Sequence, residues 1–373
     1  MTFRPLRALG FMSGTSMDGV DVALVETDGE QQFRPIAATT RPYPPELRAR
    51  LAALVARRGD DAAESAAVEV WLTACHIEAA KALLDGLPAC ERRLDLVGFH
   101  GHTVDHRPRA GVTRQIGDAT RLAHALGVPV VHDFRSEDVR QGGEGAPLVP
   151  VFHALLARGL ERPLAFLNIG GIANVTWVGP GDRLLAFDTG PGNALLDDWS
   201  LRTTGRPFDE NGRLAASGRV DKSRLARLLA HPFFLRPPPK SLDRNDFPLS
   251  AVEGLDPADG AATLAALTIE AVVRAIPFLP QPPCRWLVCG GGRRNRTLVA
   301  GLASRLEVPV APVEAIGADG DALEAQAFAV LAVRVLRGLP TSFPDTTGVA
   351  APCCGGRIAL PNRPAGDRPL LSG

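Results

Sequence analysis

The sequence predicts an α/β protein with two lobes. Three observations support this: short apolar runs end in glycine-rich or polar turns, Ala-, Leu- and Arg-rich segments with helical spacing lie between them, and the chain is 373 residues long. Strands that alternate with helices are typical of α/β folds. Because domains usually contain roughly 100 to 200 residues, the length favours two of them.

The predicted strands and helices alternate along most of the chain. The apolar runs predict strands at Leu6–Met12, Leu94–Phe99, Val128–His132, Leu164–Ile169, Leu184–Phe187 and Trp286–Cys289. Helical spacing predicts helices over residues 46–58, 63–86, 118–126, 224–230, 260–276 and 321–337. In such folds ligands bind outside the carboxyl ends of the strands, so the loops that follow the strands are expected to carry the chemistry.

Charge and apolar content narrow the class of partner. Lys and Arg together number 41, as do Asp and Glu, so the formal net charge is zero. No basic surplus is therefore available to neutralise a nucleic-acid backbone. Charged residues, Pro or Gly interrupt every apolar stretch before the ~20 residues that a membrane span needs. We expect neither a nucleic-acid nor a membrane partner.

The first residues predict a cytoplasmic protein, and the cysteines predict neither a metal site nor a disulfide. The run Leu6–Met12 is too short for a secretory signal and leads into a polar turn instead of a cleavage site. The six cysteines show neither Cys-x-x-Cys spacing nor a Cys/His grouping of the zinc kind. They are expected to be reduced and structural.

The loop Gly10–Asp21 is the first candidate for phosphate binding. Its glycines and hydroxyl residues expose backbone N–H groups and hydroxyl donors to a chain of phosphate oxygens. The apolar run Val22–Val25 predicts a returning strand, and Asp18 or Asp21 could hold Mg²⁺. The alternative is an ordinary Gly/Ser hairpin with Asp at the turn.

Two further glycine-rich segments follow predicted strands. Asn168–Thr176 has a double glycine between a strand and a returning strand, so two such hairpins could clamp one polyphosphate. Cys289–Leu298 follows a strand and opens a helix, which suits close backbone approach to a nucleotide base or ribose. The alternative for this segment is a turn that simply begins a helix.

Other nucleotide-binding signatures are missing from the sequence. None of the lysines Lys81, Lys222 and Lys240 follows a glycine, which excludes a Walker-type P-loop. Neither Gly290-x-Gly292 nor Gly190-x-Gly192 completes a dinucleotide fingerprint, and the His-Arg-Asp and Asp-Phe-Gly signatures of protein kinases are absent. ATP binding through two hairpins remains as the prediction.

An ordered set of motifs resembles the anhydro-N-acetylmuramic acid kinase family. The long ones are Phe11–Asp21, Asn168–Asn174 and Asp188–Asn193. Shorter ones, in family order, are His100–Thr103, Gln115–Asp118, Asp133–Arg135, Gly145–Pro150, Pro239–Ser241 and Gly290–Gly292. The resemblance covers nearly the whole chain. One departure is His102, where the family usually has Gln.

The resemblance implies a two-lobe actin-like (ribonuclease H-like) sugar kinase fold with an ATP cleft between the lobes. We expect lobes at residues 1–140 and 141–340, with residues 341–373 packing back on the first lobe. The implied reaction uses ATP and Mg²⁺ to open the 1,6-anhydro ring with water and to phosphorylate O6. The product is N-acetylmuramic acid 6-phosphate, formed during peptidoglycan recycling in the cytoplasm, and the family also implies a homodimer.

Asp188 is the predicted catalytic residue. It follows the strand Leu184–Phe187, and the family's catalytic Asp aligns with it. As a general base it would deprotonate the water that attacks the anomeric carbon. The leaving oxygen can be captured by the γ-phosphorus, so a separate acid is not required. The alternative is a turn Asp that caps the following Gly-Pro-Gly loop.

The remaining site residues are assigned to nucleotide or sugar. The predicted nucleotide-binding residues are Gly14, Thr15, Ser16, Met17, Asp18, Gly19, Val20, Asp21, Gly170, Gly171, Asn174, Gly290, Gly291, Gly292 and Asn295, with Asp18 as the candidate metal ligand. The predicted sugar-binding residues are His100, Thr103, Arg135 and Glu324. Arg135 could pair with the lactyl carboxylate. The sugar role of Glu324 is implied by the resemblance, because a family Glu that contacts the sugar aligns with it; the alternative is a capping box with Asp321.

Two rival functions use the same residues. An ATP-independent glycoside hydrolase would use Asp188 with Glu324 and open the anhydro ring without nucleotide. A non-catalytic sensor of sugar or nucleotide would bind its ligands without releasing ADP. Dependence on ATP distinguishes the hydrolase from the kinase, and ADP release distinguishes the sensor.

Overall fold

The computed structural model describes residues 3–14, 17–243 and 246–362, which form two compact units. The first unit contains the described residues up to Gly145, Glu324–Phe343 and the described residues from Val349 onward. The second contains Ala146–Leu323 and Pro344–Gly348. These bounds differ from the expected lobe bounds chiefly because residues 324–340 belong with the first unit.

The structure confirms the predicted α/β class, since each unit has its own sheet and helices. The strands are β1 Leu6–Ser13, β2 Gly19–Thr27, β3 Phe33–Pro42, β4 Leu96–Arg107, β5 Val112–Ile116, β6 Val130–His132, β7 Leu164–Ile169, β8 Ile172–Val178, β9 Leu184–Pro191, β10 Trp286–Cys289, β11 Val310–Pro312 and β12 Arg357–Ala359. The helices are α1 Pro45–Ala56, α2 Ala62–Asp85, α3 Ala119–Leu126, α4 Ser136–Arg140, α5 Pro150–Leu156, α6 Ala194–Thr204, α7 Arg213–Ser217, α8 Lys222–Leu229, α9 Pro257–Ala275, α10 Arg296–Leu306, α11 Leu323–Leu336 and α12 Pro344–Thr347.

The sheet of the first unit has the order β12-β6-β4-β1-β2-β3, with β5 paired to β4. β1, β2 and β3 form an antiparallel meander, while β1, β4 and β6 run parallel. Because parallel strands end at the same edge of a sheet, Ser13, His102 and His132 come to one edge.

β4 is longer than the predicted strand. It continues past Phe99 to Arg107, with Gly101 inside it at φ 71°, and a turn at Pro108–Ala110 then leads back into β5. Left-handed backbone of this kind favours glycine. His100 and Thr103 therefore lie within a strand, whereas the sequence placed them in the loop after it.

Helix α11 packs directly on β1 and β4. A Cβ atom at Gly10 would lie 1.9 Å from the carbonyl oxygen of Ala325, and one at Gly98 would lie 2.1 Å from that of Phe328. Only glycine permits so close an approach of helix and strand backbones. This contact explains why the helix belongs to the first unit, although the sequence assigned it to the second lobe.

The sheet of the second unit has the order β11-β10-β7-β8-β9. β7, β10 and β11 are parallel, and β7, β8 and β9 form an antiparallel meander. Helix α9 forms much of the core of this unit. The stretch Pro257–Phe278 is long and apolar enough to span a membrane, contrary to expectation, although 61% of its most apolar window is buried inside the protein.

Candidate functional site

The first predicted phosphate loop forms the expected hairpin between β1 and β2. Met12 pairs with Asp21 across it, and the N–H of Met17 donates to the carbonyl of Gly14 at 3.1 Å. Met17 has φ 54°, so the backbone turns tightly there. Thr15 and Ser16, two of the predicted nucleotide-binding residues, lie outside the described residues.

The remaining residues of this hairpin differ in their burial. Gly19 and Val20 lie in β2, where Val20 is fully buried in the apolar core. The side chain of Val20 is therefore enclosed in the core, and any nucleotide contact at this position would come from its backbone. Asp18 is exposed, and Asp21 is half-buried beside Thr40, whose hydroxyl donates to it at 2.6 Å.

The two hairpin carboxylates are the candidate ligands for Mg²⁺. Over the described ranges of the chain, no group of three or more His, Cys, Asp or Glu side chains is placed to hold a metal ion. Mg²⁺ is usually bound by one or two carboxylates together with substrate phosphates. Asp18 and Asp21, on a loop suited to phosphate, fit that donor set.

A buried hydrogen-bonded chain holds the end of β1. The hydroxyl of Tyr43 donates to Ser13 Oγ at 2.7 Å, and Ser13 Oγ lies 2.8 Å from Nδ1 of His102. All three side chains are buried, and burial lowers the pKa of His102 to about 4. A neutral His102 thus ties β4 to Ser13, the last residue of β1 and part of the phosphate loop, a role that sequence reasoning did not find.

The second hairpin brings Asn174 opposite the predicted catalytic residue. Asn168 pairs with Asn174 across the Gly170–Gly171 turn, and Asn174 pairs with Asp188 on the next strand. Directly opposed residues share a face of the sheet. The three polar side chains therefore form one row, which the sequence showed only as separate motifs.

The loop after Asp188 closes onto the second hairpin. The N–H of Gly192 donates to Gly171 at 3.0 Å, and the N–H of Asn193 donates to the carbonyl of Gly170 at 2.7 Å. A Cβ atom at Gly192 would lie 2.3 Å from the carbonyl oxygen of Gly170, so a larger residue would push the loop away. The motif Asp188–Asn193 thus positions the double-glycine turn.

Asp188 itself is held through its backbone and its side chain. It lies within β9 and is half-buried, rather than in a loop after the strand. Its N–H donates to the carbonyl of Lys240 at 3.0 Å, and its Oδ2 accepts the N–H of Leu242 at 2.9 Å. The carboxylate is therefore oriented by the segment 240–242.

The third glycine-rich segment leads from β10 into α10, as both interpretations of it expected. Oδ1 of Asn295 accepts the N–H of Leu298 at 3.1 Å and caps α10. A Cβ at Gly290 would lie 2.3 Å from Asn168 Oδ1, and one at Gly292 would lie 2.4 Å from Ile169 Cγ2. Gly290, Gly291 and Gly292 therefore pass close to the end of β7, beside the second hairpin.

His100 and Arg135 form a direct pair in the first unit. Arg135 Nε donates to His100 Nε2 at 3.0 Å, and its Nη1 donates to the carbonyl of Gly145 at 2.7 Å. His100 is buried, and burial together with the charge of Arg135 holds its pKa well below the usual range. Burial also lowers the pKa of Arg135 to about 10, which leaves it charged at neutral pH.

Glu324 joins this pair electrostatically. It lies at the first turn of α11, where burial and the charge of Asp21 raise its pKa and the charge of Arg135 lowers it. Asp21, Arg135 and Glu324 come from three separate parts of the chain. Thr103 lies on β4 and accepts a hydrogen bond from Gln115 at 3.3 Å.

The capping box suggested for Asp321 and Glu324 does not form. The carboxylate of Asp321 is paired with Arg293 at 2.8 Å and with Arg294, and the helix begins at Leu323. The N–H groups of Asp321 and Ala322 are instead bound by Asp319. The capping-box interpretation is therefore wrong, and the role of Glu324 in sugar binding stays a prediction.

A cavity of about 240 Å³ opens beside His100 in the first unit. Its lining residues are Phe99, His100, Gly101, Thr113, Arg114, Gln115, Ile116, Gly117, His132, Asp133 and Ser136. It lies beside the middle of β4 and at the carboxyl end of β6, an edge of the kind where α/β folds bind ligands. Asp133, at φ 55°, accepts the hydroxyl of Ser136, and the sequence motifs containing Gln115 and Asp133 suggested no role for either.

Comparison with known proteins finds one family model and several similar relatives. A family model described as anhydro-N-acetylmuramic acid kinase matches residues 6–361. A relative with that name from Rhodospirillum rubrum is 54% identical over 351 residues, covering 94% of this chain and 93% of the relative. Another from Acidiphilium cryptum is 53% identical over 366 residues, covering 95% of this chain and 99% of the relative. A solved ROK family glucokinase from Streptomyces griseus has 13% identity and a TM-score of 0.42, over 87% of this chain and 99% of that chain.

Proposed function

Because this chain belongs to the anhydro-N-acetylmuramic acid kinase family, we propose that it uses ATP to open and phosphorylate 1,6-anhydro-N-acetylmuramic acid. The products are N-acetylmuramic acid 6-phosphate and ADP, and the reaction serves peptidoglycan recycling in the cytoplasm. The observation that carries the proposal is the placement of Asp188 opposite Asn174, at the glycine-rich hairpin, with its carboxylate held by Leu242.

Asp188 acts as the general base. It takes a proton from a water molecule whose oxygen bonds to the anomeric carbon. The bond between that carbon and O6 breaks, O6 bonds to the γ-phosphorus, and ADP leaves. A placed base typically contributes roughly 10²- to 10⁴-fold in rate. The N–H donor of Leu242 keeps one carboxylate oxygen in a fixed direction, which favours a single orientation of the base.

The two hairpins bind the phosphates. Their glycine-rich turns offer backbone N–H groups that stabilise the charge developing on the phosphoryl oxygens. Mg²⁺ bound with the nucleotide would be held by Asp18 or Asp21 and would neutralise phosphate charge. The close passage of Gly290–Gly292 to Asn168 and Ile169 suits contact of this segment with the nucleotide.

The first unit binds the sugar. Arg135 pairs with the lactyl carboxylate, because a guanidinium matches a carboxylate with two parallel hydrogen bonds. His100 holds Arg135 in place. Glu324 accepts a hydrogen bond from a sugar hydroxyl or amide group, and Thr103 adds a hydroxyl on the same strand as His100.

The deciding experiment mixes the protein with Mg²⁺-ATP and 1,6-anhydro-N-acetylmuramic acid. We expect ADP release and a product heavier than the substrate by one phosphoryl group (HPO₃) and one water. Ring opening without ATP would instead support the glycoside hydrolase, and binding of both ligands without ADP release would support the sensor. ADP release with ordinary sugars but not with the anhydro sugar would overturn the substrate while leaving the kinase.

We also propose that the protein is a homodimer, as the family resemblance implies. Light scattering on the purified chain measures its mass in solution. Twice the chain mass of 39.5 kDa is expected, and a monomer at the concentration of the activity assay contradicts this proposal without affecting the reaction.

A further inference from the structure

Lys240 differs from the other lysines of the chain. The sequence contains three, of which Lys81 and Lys222 are exposed, whereas Lys240 is 5% exposed. Its motif, Pro239–Ser241, belongs to the resemblance but has no part in the proposed function so far. Burying an ammonium group is costly unless it is well compensated, so the position of Lys240 calls for a reason.

Three aromatic rings surround the ammonium group. Nζ lies 4.5 Å from the ring centre of Phe278, 4.6 Å from that of Phe233 and 5.6 Å from that of Phe187. Within the described part of the chain its hydrogen bond is to the carbonyl of Phe233, at 3.3 Å. Ring faces attract a cation. The cage therefore holds a charged side chain at a fixed point.

The cage is joined to Asp188 on two sides. Phe187, which forms one wall, is the residue before Asp188. The carbonyl of Lys240 accepts the N–H of Asp188 at 3.0 Å, and two residues later the N–H of Leu242 donates to Oδ2 of Asp188 at 2.9 Å. A shift of the Lys240 side chain would move the backbone that holds the base.

Charge links the two residues as well. Among the residues that the structure describes, Arg236 and Asp188 are the charged groups that act on Lys240. Burial and Arg236 lower the pKa of Lys240 to about 8, against the opposing effect of Asp188. The ammonium group is therefore mostly protonated at neutral pH, and its positive charge favours the ionised form of a nearby carboxylate.

We propose that Lys240 is a positioning residue for Asp188, anchoring the segment 240–242 in the cage and supplying the positive charge that favours the ionised carboxylate. This rests on the proposed function, in which Asp188 is the base. Replacing buried charges by apolar residues of similar volume is often neutral or stabilising, so stability alone does not require a lysine at this position. A role in positioning Asp188 does require one.

Lys240→Met tests the proposal, because it removes the charge and keeps most of the side-chain volume. Lys222→Met is the matched control, and Lys240→Arg keeps a cation among the rings. For Lys240→Met we expect kcat to fall roughly 10- to 100-fold, with the KM for ATP unchanged and the melting temperature unchanged or higher. The acid limb of the profile of kcat/KM against pH should move to higher pH, because the Asp188 carboxylate loses the nearby positive charge that favours its ionised form. Lys240→Arg should retain most of the activity and the wild-type acid limb.

The outcomes separate this inference from the proposed function. Wild-type kcat and an unmoved acid limb in Lys240→Met would overturn the role of Lys240 alone. A loss of activity that follows a lower melting temperature, with the acid limb unmoved, would show a merely structural lysine and would also overturn it. If the wild-type protein turns over no anhydro sugar while ATP binds, the proposed function fails and the inference fails with it.

Discussion

Arg135 donates the hydrogen of its Nε to Nε2 of His100, at 3.0 Å. A guanidinium group can only donate, so Nε2 must accept, and the ring proton is on Nδ1. Nδ1 in turn lies 2.9 Å from the carbonyl of Gly101, to which it donates. His100 is thereby fixed as one neutral tautomer that orients the guanidinium.

Replacing His100 with Phe should weaken sugar binding. Phe keeps the packing against the ring of Phe328, which lies 4.6 Å away, but removes the acceptor for Arg135. Hydrogen bonds to charged groups contribute roughly 1.5–3 kcal/mol, so we expect the KM for the anhydro sugar to rise about tenfold or more. Steady-state kinetics should show an unchanged KM for ATP. Equal effects on both KM values would contradict the specific role of His100.

Replacing Asp138 with Ala should weaken the second contact of Arg135, the one with Gly145. Nη1 of Arg135 donates to the carbonyl of Gly145, and the N–H of Gly145 donates to the buried Asp138 at 2.7 Å. Asp138 also accepts the hydroxyl of Ser342. Because two buried donors lose this acceptor, we expect the free energy of unfolding, measured with urea, to fall by about 1–3 kcal/mol. We also expect the KM for the sugar to rise.

The control for Asp138 is the neighbouring variant Glu137→Gln. Glu137 pairs with the exposed side chain of Arg140, and exposed ion pairs contribute roughly 0–1 kcal/mol. A fall in stability as large as that of Asp138→Ala would show that the effect comes from the helix α4 and not from Gly145.

Asp188→Asn should abolish turnover without abolishing nucleotide binding. The amide can still accept the N–H of Leu242, but it cannot take a proton from water. We expect a loss of about 10³-fold or more in kcat, with ATP affinity by titration calorimetry near that of the wild type. Near wild-type ring opening by this variant would place the base elsewhere.

Acid should destabilise the fold in a defined pH window. Burial lowers the pKa of His76 and His102 to about 4 and that of His153 to about 3, against about 6.5 in the unfolded chain. As pH falls, the unfolded state binds these protons first. The contribution of these histidines to the free energy of unfolding is therefore fully present above about pH 6.5 and is lost progressively as the pH falls towards 4. Each pKa unit between the folded and the unfolded state corresponds to roughly 1.4 kcal/mol.

Urea unfolding at several pH values measures this window. His153→Gln should reduce the slope of stability against pH between 6.5 and 4, because the ring that stacks on Phe166 and meets Thr176 no longer titrates. His124 is exposed, so His124→Gln is the matched control and should leave the slope unchanged. A wild-type stability that does not change between pH 7 and pH 5 would contradict the prediction.

Local signals in the sequence were enough for much of the architecture. The double glycine between two apolar runs predicted the β7–β8 hairpin, and Gly14 with the following run predicted the β1–β2 hairpin; the structure confirms both. Helical spacing predicted α1, α2, α3, α8, α9 and α11 to within a few residues. Such patterns depend on residues close together in the chain, so a single sequence contains them.

Partners distant in the chain could not be predicted in the same way. Periodicity showed that residues 321–337 are helical but not that Gly10 and Gly98 would let the helix lie on β1 and β4. Nor did any local pattern place Tyr43 on Ser13, or Ser13 on His102. The choice among many apolar surfaces and polar partners depends on the packing of the whole unit.

The sequence by itself therefore determined the α/β class, the glycine-rich turns and, through its motifs, the family and the candidate base Asp188. Only the tertiary structure decided what surrounds that base. The register of β8 against β9 places Asn174 opposite Asp188. The cage of three phenylalanines fixes Lys240, the first residue of the segment that holds the Asp188 carboxylate. Register and burial are set by long-range packing, which brings together residues that no local spacing connects.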